Sequence, residues 1–286
     1  MGALNNIIAA IDTSAMADEV LKRAISLAKD ENAQITVLHN IDIPLFEKLF
    51  GDVKGEEEIR KKIEEKMERL NAEAGVDYFV SITRGVASDE IVYAAERLQS
   101  DLIVIGAHGK KNITDAFFGS TAHNVAQKSH LPVLIIKTPV TERYKEVLAL
   151  TDLSDASEKS IHFAKRVFAD ADIELAYAFA QISDLAVDFY DLQDEKELYR
   201  KKISVIEKQD AEKFRKKVGI DSIEIVESPT SVSEALLETA KRRKSDLVVL
   251  GTHGVKTADT ILYASTASYL MKSVPSDVLI YVPLEK

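Results

Sequence analysis

The chain has 286 residues, 46% apolar and 29% charged, which fits a globular protein of two ordinary domains. Its net charge of −10 argues against a general nucleic-acid surface, and the excess is even, −5 in residues 1–140 and −5 in the rest. There is no cysteine, which excludes disulfides, thiolate chemistry and cysteine metal sites.

The N-terminus, Met1 to Asn6, has no basic stretch ahead of an apolar one, so no signal peptide is expected. No apolar run approaches the ~20 residues of a membrane helix, so no membrane partner is expected and a cytoplasmic location is the default.

Taken in order, the first half alternates short apolar runs with helical patterns. Strands are predicted at Asn6–Ile11, Gln34–Asn40, Tyr78–Thr83, Leu102–Gly106 and Val133–Lys137. Between them, Ala17–Lys29, Glu56–Ala72, Ser88–Gln99 and Ser120–Lys128 carry helical spacing, as in Val20, Ala24, Leu27 and Ala28. Thr138–Tyr144 is a short join. The second half predicts strands at Glu146–Thr151, Ile173–Ala178, Ser222–Val226, Leu247–Gly251 and Val278–Val282. Strands rich in Val, Ile and Leu and separated by helices imply parallel sheets covered on both faces. The expected fold is α/β: two tandem doubly wound, five-stranded, Rossmann-like domains, residues 1–140 and 141–286. Two apolar segments, Ile43–Gly55 and Ile182–Asp194, read foremost as cover over the core, with a lid or a partner surface as the other readings.

The halves are a repeat. Shifted by 145 residues, Ser100-Asp101-Leu102-Ile103-Val104-Ile105-Gly106 falls on Ser245-Asp246-Leu247-Val248-Val249-Leu250-Gly251, and Ser120-Thr121-Ala122 on Ser265-Thr266-Ala267. Nearer the start the shift is 140, placing Asp12 on Asp152. A period this long marks a duplicated domain, not a solenoid.

The chemistry-bearing pattern is a glycine loop between strand and helix. The first copy reads Gly106-Ala107-His108-Gly109, nine residues, then Gly119-Ser120-Thr121. The second reads Gly251-Thr252-His253-Gly254, nine residues, then Ala264-Ser265-Thr266. Such a loop offers backbone N–H groups and a helix N-terminus to a phosphate. Gly109 and Gly119 permit close approach, while Ser120 and Thr121 add hydroxyls. Lys110 and Lys111 offer charge or simply solvate the loop. Asp12, at the end of the first strand, suits ribose hydroxyls or, equally on its own, caps the following helix. Ala264 costs affinity if its site needs φ > 0, about 1–2 kcal/mol, or close phosphate approach. The second copy is therefore expected to bind more weakly or not at all.

Other chemistries find no support in the sequence. There is no Gly-x4-Gly-Lys-[Ser/Thr] and no Gly-x-Gly-x-x-Gly after the first strand. The six histidines lack a helical i, i+4 metal pair, His39 reads as structural, and His108 and His253 lie in the loops. Neither a catalytic residue nor a protein metal site is expected. Lys241-Arg242-Arg243-Lys244 suits a helix C-terminus.

Gly106-x2-Gly109-x9-Gly119-Ser120, with Ile7-Ile8-Ala9-Ala10-Ile11-Asp12 and Val37-Leu38-His39-Asn40, resembles the ATP-binding motif of the universal stress protein family over nearly the whole chain. The resemblance implies that Asp12 holds the ribose and that backbone groups of Asn40, Ile105 and Gly106 meet adenine. It implies that Gly106, His108, Gly109, Gly119, Ser120 and Thr121 surround the phosphates, with a divalent metal, Mg2+ or Mn2+. Asn40 stands where the family usually has an apolar residue, a change that backbone contact tolerates. The second-half equivalents are Asp152, Gly251, Gly254, Ser265 and Thr266. The implied function is binding of ATP or another adenine nucleotide, mainly by the first half, in a stress-regulatory role through an unidentified protein partner. The final strands imply an internal pseudo-dimer, and a homodimer of the whole chain is expected. The alternatives are a slow ATPase or phosphotransferase using Asp12 or His108, and an interaction module without nucleotide.

Overall fold

The computed structural model describes residues 3–41, 55–108, 118–181, 195–251 and 258–281, with the side chains of 258–265 excepted. The predicted segments Ile43–Gly55 and Ile182–Asp194 therefore lie outside it, apart from Gly55, as do Gly109, Lys110, Lys111, His253 and Gly254.

The described strands and helices alternate within each half of the chain. In chain order they are β1 (Asn6–Ile11), α1 (Met16–Glu31), β2 (Gln34–Ile41), α2 (Glu56–Asn71), β3 (Tyr78–Arg84), α3 (Ala87–Arg97), β4 (Leu102–Gly106), α4 (Ser120–Lys128) and β5 (Val133–Ile136). There follow β6 (Glu146–Thr151), α5 (Asp155–Val167), β7 (Asp172–Ala180), α6 (Lys196–Val218), β8 (Ile223–Ser228), α7 (Val232–Arg243), β9 (Leu247–Gly251), α8 (Ala258–Ser273) and β10 (Asp277–Tyr281). They form two compact units, Met1–Arg143 with Asp277–Lys286, and Tyr144–Ser276.

In unit 1 the strand order is β3-β2-β1-β4-β5-β10. The first five strands run parallel, and β10 lies antiparallel to β5 with Val278 opposite Ile135. In unit 2 the order is β9-β6-β7-β8, all parallel. Both are the doubly wound α/β architecture that the apolar alternation predicts. The last strand of the second half is counted with unit 1.

The strands are apolar because helices cover both faces of the sheet. Ile7, Ile8, Ile35, Leu102, Ile103, Leu134 and Ile135 are each almost wholly buried. Helix α1 turns Val20, Leu21, Ala24, Leu27 and Ala28 inward, the stripe its spacing predicts, and ends on left-handed Asn32.

Carboxylates hold strand ends in place. Asp101 accepts the N–H groups of Asn5 and Asn6 at 2.7 and 3.0 Å, tying the start of β1 to β4. Asp246 does the same for Lys145 and Glu146 at 2.8 and 3.2 Å. The repeated Ser-Asp pair is thus a repeated strand clamp. Asp277, fully buried, accepts from the N–H groups of Lys137 and Thr138 at 2.8 and 3.0 Å and from the Thr138 hydroxyl at 3.0 Å. Arg23 lies 4.0 Å from its other oxygen and donates to the Glu142 carbonyl. This knot fixes the start of β10 against the end of β5.

Gly106 and Gly251 end β4 and β9 because a helix crosses close above each. A Cβ on Gly106 meets the Met16 side chain at 3.1 Å, whereas one on Gly251 meets the α5 backbone at Ala156 and Ser157 at 2.6 Å. A flexible side chain can yield and a helix backbone cannot. Gly251→Ala should therefore cost about 1–3 kcal/mol by overpacking, and Gly106→Ala distinctly less. Urea unfolding of both variants, followed by circular dichroism, checks this; equal shifts would show that the α5 backbone gives way.

Candidate functional site

The strand order of unit 1 places β2 on one side of β1 and β4 on the other. The connections leave these strands in opposite directions, which opens a crevice beyond their carboxyl ends. A cavity of about 540 Å³ lies there. Its lining includes Asp12, Asn40, Ile105, Gly106, His108, Gly119, Ser120 and Thr121, so the described first-half candidates are brought together. Its remaining wall is mostly apolar, including Met16, Val20, Leu38, Ile59 and Ile91.

Each polar member is positioned by its neighbours. Asp12 folds back on its own loop, where Oδ1 accepts from the Ser14 N–H at 2.9 Å and the Ser14 hydroxyl at 2.5 Å. This turn orients the carboxylate and uses part of its capacity of about four acceptor sites. The helix-capping alternative is thus realised only locally, since α1 has Ala15 at its N-cap and no side-chain cap. Asn40 uses its side chain within the sheet, donating to the Gly85 carbonyl at 3.0 Å and accepting from Thr83 at 3.1 Å. His39 is buried with Nδ1 3.0 Å from the Ile11 carbonyl, the structural role its sequence position suggests.

The loop ends are pinched shut. The Ala107 N–H donates to Ile136 at 2.8 Å, and the Ala107 carbonyl accepts from Gly119 at 2.7 Å. Gly119 caps α4 in extended backbone, φ −66° and ψ 136°, a conformation open to any residue. Its glycine identity therefore answers to space or to ending a helix, not to a left-handed φ. Helix geometry leaves the N–H groups of Ser120, Thr121 and Ala122 without intrahelical acceptors, at the positive end of the α4 dipole. Among the described residues no cluster of three or more His, Asp or Glu suits a metal ion.

The corresponding cavity of unit 2, about 720 Å³, contains Asp152, Gly251 and Thr266 in its lining. Asp152 repeats the Asp12 turn, accepting from the Ser154 N–H at 3.0 Å, and adds the Ser157 hydroxyl at 2.6 Å. The helix is different. Helix α8 begins at Ala258 and runs on through Ala264, Ser265 and Thr266, so no helix N-terminus stands where unit 1 has one. The Thr266 hydroxyl accepts from Ser233 at 3.1 Å.

The apolar walls and the second-cavity residues Tyr177, Phe179 and Glu207 were not read as lining from sequence. Tyr177 and Phe179 carry the signal of alternate positions on one strand face. Glu207 carries none, because α6 has few buried positions to fix its phase.

Lys137 sits just behind the pinch, its ammonium 5.7 Å from the Phe118 ring centre. Burial pushes this amine down to about 8, against the opposing pull of Asp277. Between about 8 and the ordinary lysine value of 10.5 the unfolded chain binds the extra proton, so this group makes stability rise with pH across that window. Below it, burying the charge carries its full cost. Lys137→Met should therefore stabilise the chain at pH 7 by about 1–3 kcal/mol, with the advantage shrinking by pH 10. Thermal unfolding at both pH values checks this; an advantage independent of pH would assign it to packing.

Comparison with known proteins matches the chain twice to the model of the universal stress protein family, at residues 4–137 and 143–282. Universal stress protein MJ0531 of Methanocaldococcus jannaschii is 32% identical over 142 residues, 48% of this chain and 84% of its own length. A solved universal stress protein from Archaeoglobus fulgidus covers 99% of this chain and 97% of its own, at 20% identity and a TM-score of 0.67, a likeness of fold. A solved universal stress protein in complex with cAMP is 26% identical and covers 47% of this chain and 97% of its own, with a TM-score of 0.37. No described helix is long and apolar enough to cross a membrane.

Proposed function

The chain belongs to the universal stress protein family, and on that premise we propose that unit 1 binds an adenine nucleotide in a regulatory, non-catalytic role. The observation that carries this reading is the single cavity in which Asp12, the β4 end and the N-terminus of α4 converge. Its apolar wall suits a base, Asp12 suits ribose hydroxyls, and the first N–H groups of α4 suit phosphate oxygens. The adenine would meet backbone at Asn40, Ile105 and Gly106, which leaves the Asn40 side chain to the sheet contacts it already makes.

The energies are sufficient. A charge-assisted hydrogen bond contributes ~1.5–3 kcal/mol, so three or four reach the ~8 kcal/mol of micromolar affinity. A magnesium or manganese ion would be held chiefly by the nucleotide's own phosphate oxygens, with Asp12 as the carboxylate of the described lining. ATP is the nucleotide proposed first, and other adenylates satisfy the same contacts. In this reading the output is a change in what the chain binds, as a homodimeric cytoplasmic protein acting through a protein partner. Residues 1–140 and 141–286 are its two domains, and the second binds nucleotide more weakly or not at all. The continuous α8 supports that ranking, since the backbone N–H groups of Ser265 and Thr266 lie inside a helix.

The test is ATP titration of the full chain by calorimetry after removal of any co-purified nucleotide. One site per chain is expected, lost in Gly119→Val and weakened about tenfold or more in Asp12→Ala. Two equivalent sites would show unit 2 to be competent. No heat and no protection against thermal unfolding would overturn the reading.

A further inference from the structure

The cavity of unit 2 differs in its chemistry from that of unit 1. The strand ladders align the two without ambiguity. His39 pairs with Ile11 at the end of β1, and Tyr177 pairs with Thr151 at the end of β6. Tyr177 thus stands for His39, Ala178 for Asn40 and Phe179 for Ile41. The rings of Tyr177 and Phe179 lie 6.2 Å apart at 25° and form one wall. Leu236 and Leu270 add aliphatic surface to the lining.

Those polar groups are acidic. Among the described lining residues Asp152 and Glu207 are the charged ones, with no lysine, arginine or histidine beside them. Helix α2 of unit 1 lines its cavity with Ile59, whereas α6 lines this one with Glu207. Glu207 accepts the Tyr177 hydroxyl at 2.5 Å, which anchors the carboxylate against the ring wall. Asp152 is held by Ser154 and Ser157. Each carboxylate keeps acceptor capacity beyond these bonds. Because α8 passes the cavity in mid-helix, it brings no N-terminal dipole end to the two carboxylates, unlike α4 in unit 1. An anionic phosphate would meet like charge here. A cation on an apolar body would meet two carboxylates and two aromatic rings, the surroundings that favour ammonium groups.

We propose that the unit 2 cavity, between Tyr177 and Phe179 on β7, Glu207 on α6 and Asp152 after β6, binds a small organic ammonium ion with an apolar body rather than a nucleotide. This goes beyond the nucleotide reading of unit 1 and shares no residue with it.

The experiment uses the full chain and two probes with the same body, phenethylammonium and neutral 2-phenylethanol, followed by calorimetry and ligand-observed NMR. Phenethylammonium is expected to bind once per chain, about tenfold or more tighter than the alcohol. Glu207→Gln and Asp152→Asn should each weaken it about tenfold, with circular dichroism confirming the fold of both. Gly119→Val should leave ammonium binding unchanged, and excess ATP should not displace it. Equal binding of alcohol and ammonium, displacement by ATP, insensitivity to both carboxamide variants, or no ammonium binding would each overturn the proposal. ATP binding to unit 1 is read in a separate titration, so either proposal can fail without the other.

Discussion

Each unit depends on a central strand with parallel neighbours on both sides. β1 must feed β2 on one flank while β4 arrives on the other, and β6 stands likewise between β7 and β9. Parallel neighbours require crossover helices, and those crossovers have one hand. The helices after the two central strands therefore depart to opposite faces. No helix can cover the point of departure, so a crevice opens there whatever the side chains are. What the sequence chooses is its chemistry: a carboxylate after the first strand, and a glycine where the returning strand meets the first helix. Gly106 and Gly251 are the price of bringing that helix close.

A second constraint follows from stacking apolar strands edge to edge. Their ends carry backbone N–H groups that the ladders leave without partners. Among the described residues aspartate satisfies such groups at Asp101, Asp246 and Asp277. The first two are related by the repeat. The third brings β10 under the same rule as β5, with Arg23 balancing a charge that has no exposure to water. Breaking one partner of such a buried pair leaves the other uncompensated, which is why these contacts act together.

The fold was largely legible because its signals are local. Near-continuous Val, Ile and Leu runs can only be buried parallel strands when helical segments alternate with them. The predicted Leu102–Gly106 and Leu247–Gly251 are β4 and β9 to the residue, and Glu146–Thr151 is β6. The lining of the candidate site was legible where it is carried by residues next to strand ends, as Asp12, Gly106 and Ser120 are. It was illegible where it depends on the facing of a helix. Glu207 lies in a charged 23-residue helix whose inward side is marked only by Ala211, Phe214 and Val218. Asn40 was legible as a member of the wall but not in its side-chain bonds to Gly85 and Thr83, since those need the β2–β3 register.

The start of α8 was the least legible feature and has the largest chemical consequence. The backbone of Gly119 would accept an alanine without strain, because φ −66° is ordinary. The difference between Gly119 and Ala264 is therefore better understood as a contest between ending a helix and continuing it. Glycine in a helix interior costs ~1 kcal/mol relative to alanine, and Ala258 to Ala264 contains neither glycine nor proline. Once alanine removes the stop, the helix can propagate backwards at little cost. It then consumes the N–H groups that would otherwise face the crevice. A duplicated domain in this way withholds a helix N-terminus from its crevice while keeping the carboxylate after its first strand. The same crevice carries Glu207 on its wall, the carboxylate on which the proposal of an ammonium ligand rests.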